Sequence, residues 1–107
     1  MDEKKRSLYE QAIAQCKGFE KKGKTMPYTS ANGYMFSQLN KEGELGIRFG
    51  KEVQARYIEE LKTGPFKSYG AVMRGYVRMP DSIWDNPNQL AALLQESYEY
   101  VMTLEPK

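Results

Sequence analysis

The sequence predicts an α+β fold, a two-layer sandwich in which an antiparallel sheet of about five strands carries helices on one face. Gly64-Pro65 ends a helical pattern, and Pro80 ends a strand pattern that runs from Val72 to Met79. A strongly periodic helix then fills the C-terminal part. The predicted element order is α-β-β-β-α-β-β-α, and residues 1–107 are expected to form a single domain.

The first helix is predicted from about Lys5 to Lys22, where apolar residues recur at helical spacing. Residues 25–33 are small, polar and turn-forming, which favours at most a short strand followed by a loop. Tyr34–Leu39 and Leu45–Phe49 then predict a hairpin whose loop is Asn40–Gly43. The second of these strands alternates apolar and polar positions, so one face of the sheet is expected to be core and the other open.

The second helix is predicted from Lys51 to Lys62, with Gly64 in the left-handed conformation that closes it. A second hairpin follows around Gly70, and 81–84 is expected to form a single turn. Asn86-Pro87 is typical of a helix start, with Asn as the cap. The apolar stripe of the last helix is expected to pack against one face of the sheet, formed by Leu45, Ile47, Met73 and Val77.

The composition is that of a globular protein, with 40% hydrophobic and 28% charged residues. The net charge of +2 is too small to indicate nucleic-acid binding by itself, although residues 1–78 carry +6 and residues 79–107 carry −4. A single cysteine, Cys16, excludes a disulfide within the chain and fits a reducing compartment. No segment is long and apolar enough to span a membrane, so we expect a cytoplasmic protein.

Residues 18–25 match the phosphate-binding pattern G-x-x-x-x-G-K-[ST] in every letter. That loop works only between a preceding strand and a following helix, because the helix N-terminus and loop amides must point at the phosphates. The predicted order here is a helix before Gly18 and a strand after Thr25. We therefore interpret the match as a chance feature of a lysine-rich helix end.

The sequence offers no catalytic, cofactor-binding or metal-ligating residues. It contains no histidine, which removes the usual base near neutral pH and a common metal ligand, and one cysteine cannot build a cysteine-rich zinc site. The nearby carboxylates Glu59 and Glu60, and Glu96 and Glu99, fall on helix faces expected to be solvated. We therefore predict a protein that is not an enzyme and has no cofactor, with a small enzyme kept as a remote alternative.

One candidate binding surface emerges on the open face of the sheet. It would carry Arg48, Arg74, Tyr76 and Arg78, with Tyr34 and Phe36 as further aromatic neighbours; arginines around aromatic rings suit single-stranded nucleic acid. The same residues suit an acidic protein partner or a second copy of the chain. Ordinary solvated side chains, or a one-residue shift in register that places the aromatic rings in the core, are the remaining interpretations.

Several segments of the chain are similar to the N-terminal domain of the TfoX/Sxy competence regulators, over roughly residues 5–107. The similarity is carried by Tyr34–Leu39, Gly43–Arg48, Gly64–Phe66, Tyr76–Pro80 and Ser97–Lys107. The family usually has a Met-Phe-Gly-Gly type segment where this chain has Met26–Gly33, and full-length regulators add a C-terminal domain after the part matched here.

The resemblance implies a two-layer α+β domain and, for some bacterial members, a part in regulating the transcription of DNA-uptake genes. From it we expect a non-enzymatic regulatory or interaction module that contacts a protein partner or a second copy of itself. A nucleic-acid-binding module that uses the basic and aromatic sheet face is the alternative. No membrane partner is expected.

Overall fold

The computed structural model describes residues 3–107, which form three α-helices, five strands and a short 3-10 helix. In chain order the elements are α1 Glu3–Ala14, β1 Tyr28–Ala31, β2 Tyr34–Leu39, β3 Leu45–Arg48, α2 Lys51–Glu60, β4 Pro65–Ser68, β5 Ala71–Arg78, the 3-10 helix Asp81–Asp85 and α3 Pro87–Val101. The strands form one antiparallel sheet in the order β1-β2-β3-β5-β4. The predicted α+β class and element order are confirmed.

The hydrophobic core lies between the helices and one face of the sheet. Side chains of α1 and α3 meet Leu45, Ile47 and Val77 there, and α2 packs its partly buried apolar side chains against the same cluster. These three sheet residues were predicted to meet the last helix. Met73 was predicted with them, but it is half-buried and lies outside the cluster, because the β5 strand is irregular between Val72 and Val77.

The first helix is shorter than predicted, since it ends at Ala14 and not near Lys22. The side chain of Gln95, on α3, accepts a hydrogen bond from the Lys17 amide (2.9 Å) and donates one to the Lys17 carbonyl (3.1 Å). Gly18 follows with φ +99°, and a Cβ there would lie 2.5 Å from the Tyr98 hydroxyl. Contacts with α3 therefore replace the helical hydrogen bonds that the apolar spacing predicted.

The second helix closes two residues earlier than expected. Lys62, with φ +53°, takes the left-handed position that was predicted for Gly64. The Thr63 amide donates to the Ile58 carbonyl (3.0 Å) and the Lys62 amide to the Glu59 carbonyl (3.2 Å), which is the Schellman arrangement. Asn86 does stand before α3 with Pro87 in the first turn, but its side chain donates to Ser82 and does not cap the helix.

The β4–β5 hairpin curls over the face of the sheet that lies opposite the helices. Pro65 is paired with Val77 and Lys67 with Val72, so Phe66 stands opposite the four residues 73–76 of β5. One of these, Gly75, has φ +87°. The Phe66 ring consequently reaches past β5 to β3, where a Cβ on Gly46 would lie 2.3 Å from two of its atoms. At the far end of the hairpin, Asn40 donates to the Lys67 carbonyl (2.9 Å). The sheet face expected to be open is therefore partly covered.

Candidate functional site

The four residues of the predicted binding surface do not form one exposed patch. Arg48 on β3 stands opposite Tyr76 on β5, and Arg78 stands opposite Gly46, so Arg48 and Arg78 occupy diagonal positions across the two strands. Arg74 is exposed and lies before Gly75, in the irregular part of β5. Arg48 and Arg78 therefore share this face with the buried rings of Tyr76 and Phe66.

Tyr76 was predicted to present its ring on this surface, and that prediction is wrong, because the residue is only 4% exposed. Its ring packs against Phe66 with a centroid distance of 5.9 Å, and its hydroxyl donates to the Met35 carbonyl (2.6 Å). Burial raises the pKa of Tyr76 far above its ordinary value, and the nearby Arg48 guanidinium opposes that rise only in part. Tyr76 is therefore a structural residue that cannot stack on a partner.

The two aromatic neighbours suggested for the surface take different places. The Arg48 guanidinium lies 5.3 Å from the centroid of the Tyr34 ring, so this cation is already engaged with an aromatic face. Phe36 is fully buried on the helix side, where its ring meets those of Phe19 (4.9 Å) and Tyr98 (6.1 Å). A bulge in the pairing of β1 with β2 turns Phe36 to that side.

Arg78 is exposed and faces a carboxylate. Its guanidinium lies 3.8 Å from the Glu44 side chain, and both side chains are more than 40% accessible to solvent. An exposed pair of this kind contributes little to stability, but it reduces the positive potential that a polyanion would meet. The surface predicted from the sequence is therefore less basic than the count of arginines suggested.

The tip of the β4–β5 hairpin presents apolar side chains that the sequence did not single out as a surface. Tyr69 is 79% exposed and Val72 is 60% exposed, and Arg74 is exposed on the same strand as Val72. Tyr69 and Gly70 both have positive φ, as a tight two-residue hairpin turn requires. The available signal was a tyrosine in the two-residue turn Tyr69-Gly70, followed by Val72. The sequence was interpreted there only as a hairpin.

The curl also creates a depression on this side of the sheet, with a volume of about 470 Å³. It is lined by Gln38 on β2, by Lys24 and Met26 of the loop before β1, by Lys41, and by Tyr69 of the hairpin turn. Gln38 is only 7% exposed, and its Oε1 has no hydrogen-bond partner within residues 3–107. Two adjacent polar residues, Ser37 and Gln38, within the strand Tyr34–Leu39 were the sequence signal, and they were not interpreted.

Other kinds of site find no support. Gly18 follows α1 and Thr25 precedes β1, so the phosphate-binding pattern lacks the strand–loop–helix order that it needs. Within residues 3–107 no group of three or more acidic or cysteine side chains could hold a metal ion. None of the helices in that range is long and apolar enough to cross a membrane.

These features define the class of the molecule: a small α+β domain with three helices on one face of its sheet and a curled hairpin on the other. The family model of the TfoX N-terminal domain matches residues 29–101. The match covers more than half of the chain, and the protein belongs to the TfoX N-terminal domain family, as the resemblance of its segments predicted. Neither a curated protein nor a solved structure matches the chain.

Proposed function

We propose that the protein is a non-enzymatic regulatory module that acts by contacting another protein through the hairpin tip, defined as Tyr69, Val72 and Arg74. The observation that carries the proposal is the exposure of two large apolar side chains there, beside an arginine. Exposed tyrosine and arginine are enriched at the centres of protein interfaces. Membership of a family that includes regulators supports the same function.

The non-enzymatic part of the proposal rests on what the reactive side chains do. The chain has no histidine. Burial raises the pKa of the Cys16 thiol, whose Sγ donates to the Ala12 and Ala91 carbonyls, so the reactive thiolate is disfavoured. Glu96 accepts a hydrogen bond from the Tyr57 hydroxyl (2.5 Å) between two helices, which is a structural use of that carboxylate.

The partner that we propose is an acidic protein surface, and a second copy of the chain is the first to test. Residues 79–107 carry a net charge of −4, whereas residues 1–78, which include the hairpin, carry +6. The two halves of the chain are therefore complementary in charge, which favours association between copies at low ionic strength. We also propose that the chain acts as one domain, since all three helices share one core with the sheet. A cytosolic location is proposed with it, in keeping with the single cysteine.

Sedimentation equilibrium over two decades of protein concentration tests this function. We expect the average mass to rise with concentration, to fall on addition of salt, and to return to that of the monomer in a Val72→Ser, Arg74→Glu variant. Arg56→Glu is the matched control, because Arg56 is also an exposed arginine of residues 1–78 and the change in charge is the same, but it lies on α2. Loss of association in Arg56→Glu but not in the hairpin variant would place the contact elsewhere.

A photo-reactive residue at position 72 extends the test to a different protein in the source cells. A single adduct formed from position 72, absent from exposed position 59 on α2 and lost with Arg74→Glu, would support a contact at the hairpin tip. A monomer at every concentration together with no such adduct would overturn the proposed function.

A further inference from the structure

Two adjoining depressions lie between the hairpin turn, the loop before β1 and the loop after β2. The larger, of about 470 Å³, contains Gln38, and the smaller, of about 290 Å³, contains Ser68. Met26, Lys41 and Tyr69 line both of them. The two depressions therefore form one elongated site on the side of the sheet that faces away from the helices.

Each end of this site holds a buried polar atom without a partner. Gln38 is 93% buried and Ser68 is 96% buried, and neither the Gln38 Oε1 nor the Ser68 Oγ has a hydrogen-bond partner within the described residues. These are the two buried side-chain atoms in residues 3–107 that lack one. Buried polar atoms are nearly always paired, so two orphans at the ends of one site call for a common explanation.

The walls of the site supply an aromatic plane and a net positive charge, since two lysines, Lys24 and Lys41, stand against one carboxylate, Glu42 at the Ser68 end. The Lys41 ammonium lies 6.0 Å from the centroid of the Tyr69 ring, and Tyr69 is mostly exposed. Lys24, also exposed, lines the Gln38 end of the site. A ligand that suits these walls is flat, aromatic and anionic, and it carries an N–H donor for the Gln38 Oε1 and an acceptor for the Ser68 hydroxyl.

We propose that this site binds a nucleotide. The base stacks on Tyr69 and its exocyclic amino group donates to the Gln38 Oε1, while the phosphate accepts from the Ser68 hydroxyl and pairs with Lys41. Because the Gln38 Oε1 and the Ser68 Oγ are both covered, the ligand must displace part of the lining at each end, and the flexible Met26 side chain, which lines both depressions, is suited to move. Tyr69 is shared with the hairpin tip, whereas Gln38, Ser68 and Lys41 are not, so the nucleotide site is tested through those three residues.

This binding mode differs from the phosphate-binding loop that the pattern at residues 18–25 suggested. That loop would use backbone amides at a helix N-terminus, whereas the site proposed here uses side chains of β2, β4 and two turns. The two ideas separate by mutation, because Lys41 and Gln38 lie outside residues 18–25.

The first experiment is an NMR titration of the full ¹⁵N-labelled chain, in which the side-chain amide of Gln38 gives its own signal. With AMP we expect saturable shifts of that signal and of the Ser68 to Gly70 backbone amides. Ribose 5-phosphate, which lacks the base, is expected to bind at least roughly tenfold more weakly than AMP. The same loss is expected for adenosine, which lacks the phosphate. Equal affinity for AMP and ribose 5-phosphate would overturn the proposal, since the base would then be unrecognised.

A short oligoadenylate distinguishes a free nucleotide from a nucleotide within a single strand. Tighter binding of the oligonucleotide, with the same shifted signals and a steep salt dependence, would identify a strand as the source of the same chemistry. An absence of saturable shifts with both AMP and the oligonucleotide would overturn the proposal, and ordered water would then be the partner of the orphan atoms.

Two variants test the residues themselves. Gln38→Met keeps the length of the side chain but removes the acceptor, and we expect roughly tenfold weaker AMP binding with little change for ribose 5-phosphate. Gln11→Met, on the exposed side of α1, is its matched control and should change neither. Lys41→Ala alters only an exposed side chain, so it should leave the fold intact and weaken both phosphate ligands. AMP binding unchanged in Lys41→Ala and in Gln38→Met would refute the assignment.

Discussion

Gly46→Ala provides a direct test of the curled hairpin. In the structure, a Cβ added to Gly46 would lie 2.3 Å from Cγ and Cδ2 of the Phe66 ring and 2.7 Å from Cδ1. Carbon atoms in favourable contact are separated by about 3.5 Å or more, so the ring must move by roughly 1 Å. Phe66 is fully buried, and its ring has nowhere to go without disturbing Tyr76 beside it.

The expected cost follows from these distances. Forcing an extra methyl group into a packed site costs about 1–3 kcal/mol, and the reduced freedom of the unfolded chain with Ala returns about 0.5 kcal/mol of this. We therefore expect Gly46→Ala to lower the free energy of unfolding by about 1.5 kcal/mol. Phe66→Ala alone should cost about 3–5 kcal/mol, because it empties a buried aromatic site.

The informative quantity is the coupling between the two changes. Once Phe66 is Ala, the clash is gone, so adding Gly46→Ala should leave stability unchanged or raise it by about 0.5 kcal/mol. Urea unfolding followed by the fluorescence of Trp84, the only tryptophan, measures all four proteins. If Gly46→Ala destabilises the Phe66→Ala background as much as the native chain, the ring does not lie over Gly46.

Gly64→Ala is the matched control for this cycle. A Cβ at Gly64 meets no atom within 4 Å, and its φ lies outside the left-handed region. We expect it to be neutral or to stabilise the protein by about 0.5 kcal/mol.

Three further predictions concern α1, α2 and the segment that follows α1. Lys62→Gly should raise the free energy of unfolding by about 0.5 kcal/mol in urea titrations, because glycine adopts the left-handed φ of that position without strain. Gln95→Leu removes both hydrogen bonds to the Lys17 backbone and should speed amide exchange of residues 15–19, at a cost of about 1 kcal/mol. The hydrogen bond from Lys21 to Glu10 lowers the pKa of Glu10, so its stabilising effect is present above the unfolded pKa and lost as pH falls through the folded pKa. The small stability difference between the native chain and Glu10→Gln should therefore shrink in denaturant titrations as the pH falls below 4.5, the ordinary pKa of glutamate.

Local patterns predicted most of the architecture. Alternation in Leu45–Phe49 predicted the strand and its core face, and Asn86-Pro87 predicted the start of α3 to the residue. Both signals act within one element: the side chains of a strand alternate between two faces, and proline suits only the first turn of a helix. The order of the elements followed from such local signals, in particular from the glycines and prolines at the ends of helices and strands.

The errors arose where a distant partner decides the local conformation. Periodicity alone could not show that Gln95 would take over the backbone hydrogen bonds of Lys17 and end α1 early. In β5, strict alternation placed Arg74, Tyr76 and Arg78 on one open face, but the irregular pairing around Gly75 breaks that alternation. A period of two holds only while each residue has one partner across the ladder, and Phe66 faces four.

The same irregularity accounts for both the wrong surface and the proposed ligand site. The four residues of β5 that face Phe66 let the hairpin bend, and the bend buries Tyr76 under Phe66 and carries Tyr69 across to Lys41. The depression exists because that bend leaves space between the hairpin turn and β2. Any change that straightens the hairpin should therefore expose Tyr76 and abolish the site together. The Gly46→Ala variant links the two conclusions: if the Phe66 ring is displaced as the distances require, AMP binding should weaken along with stability.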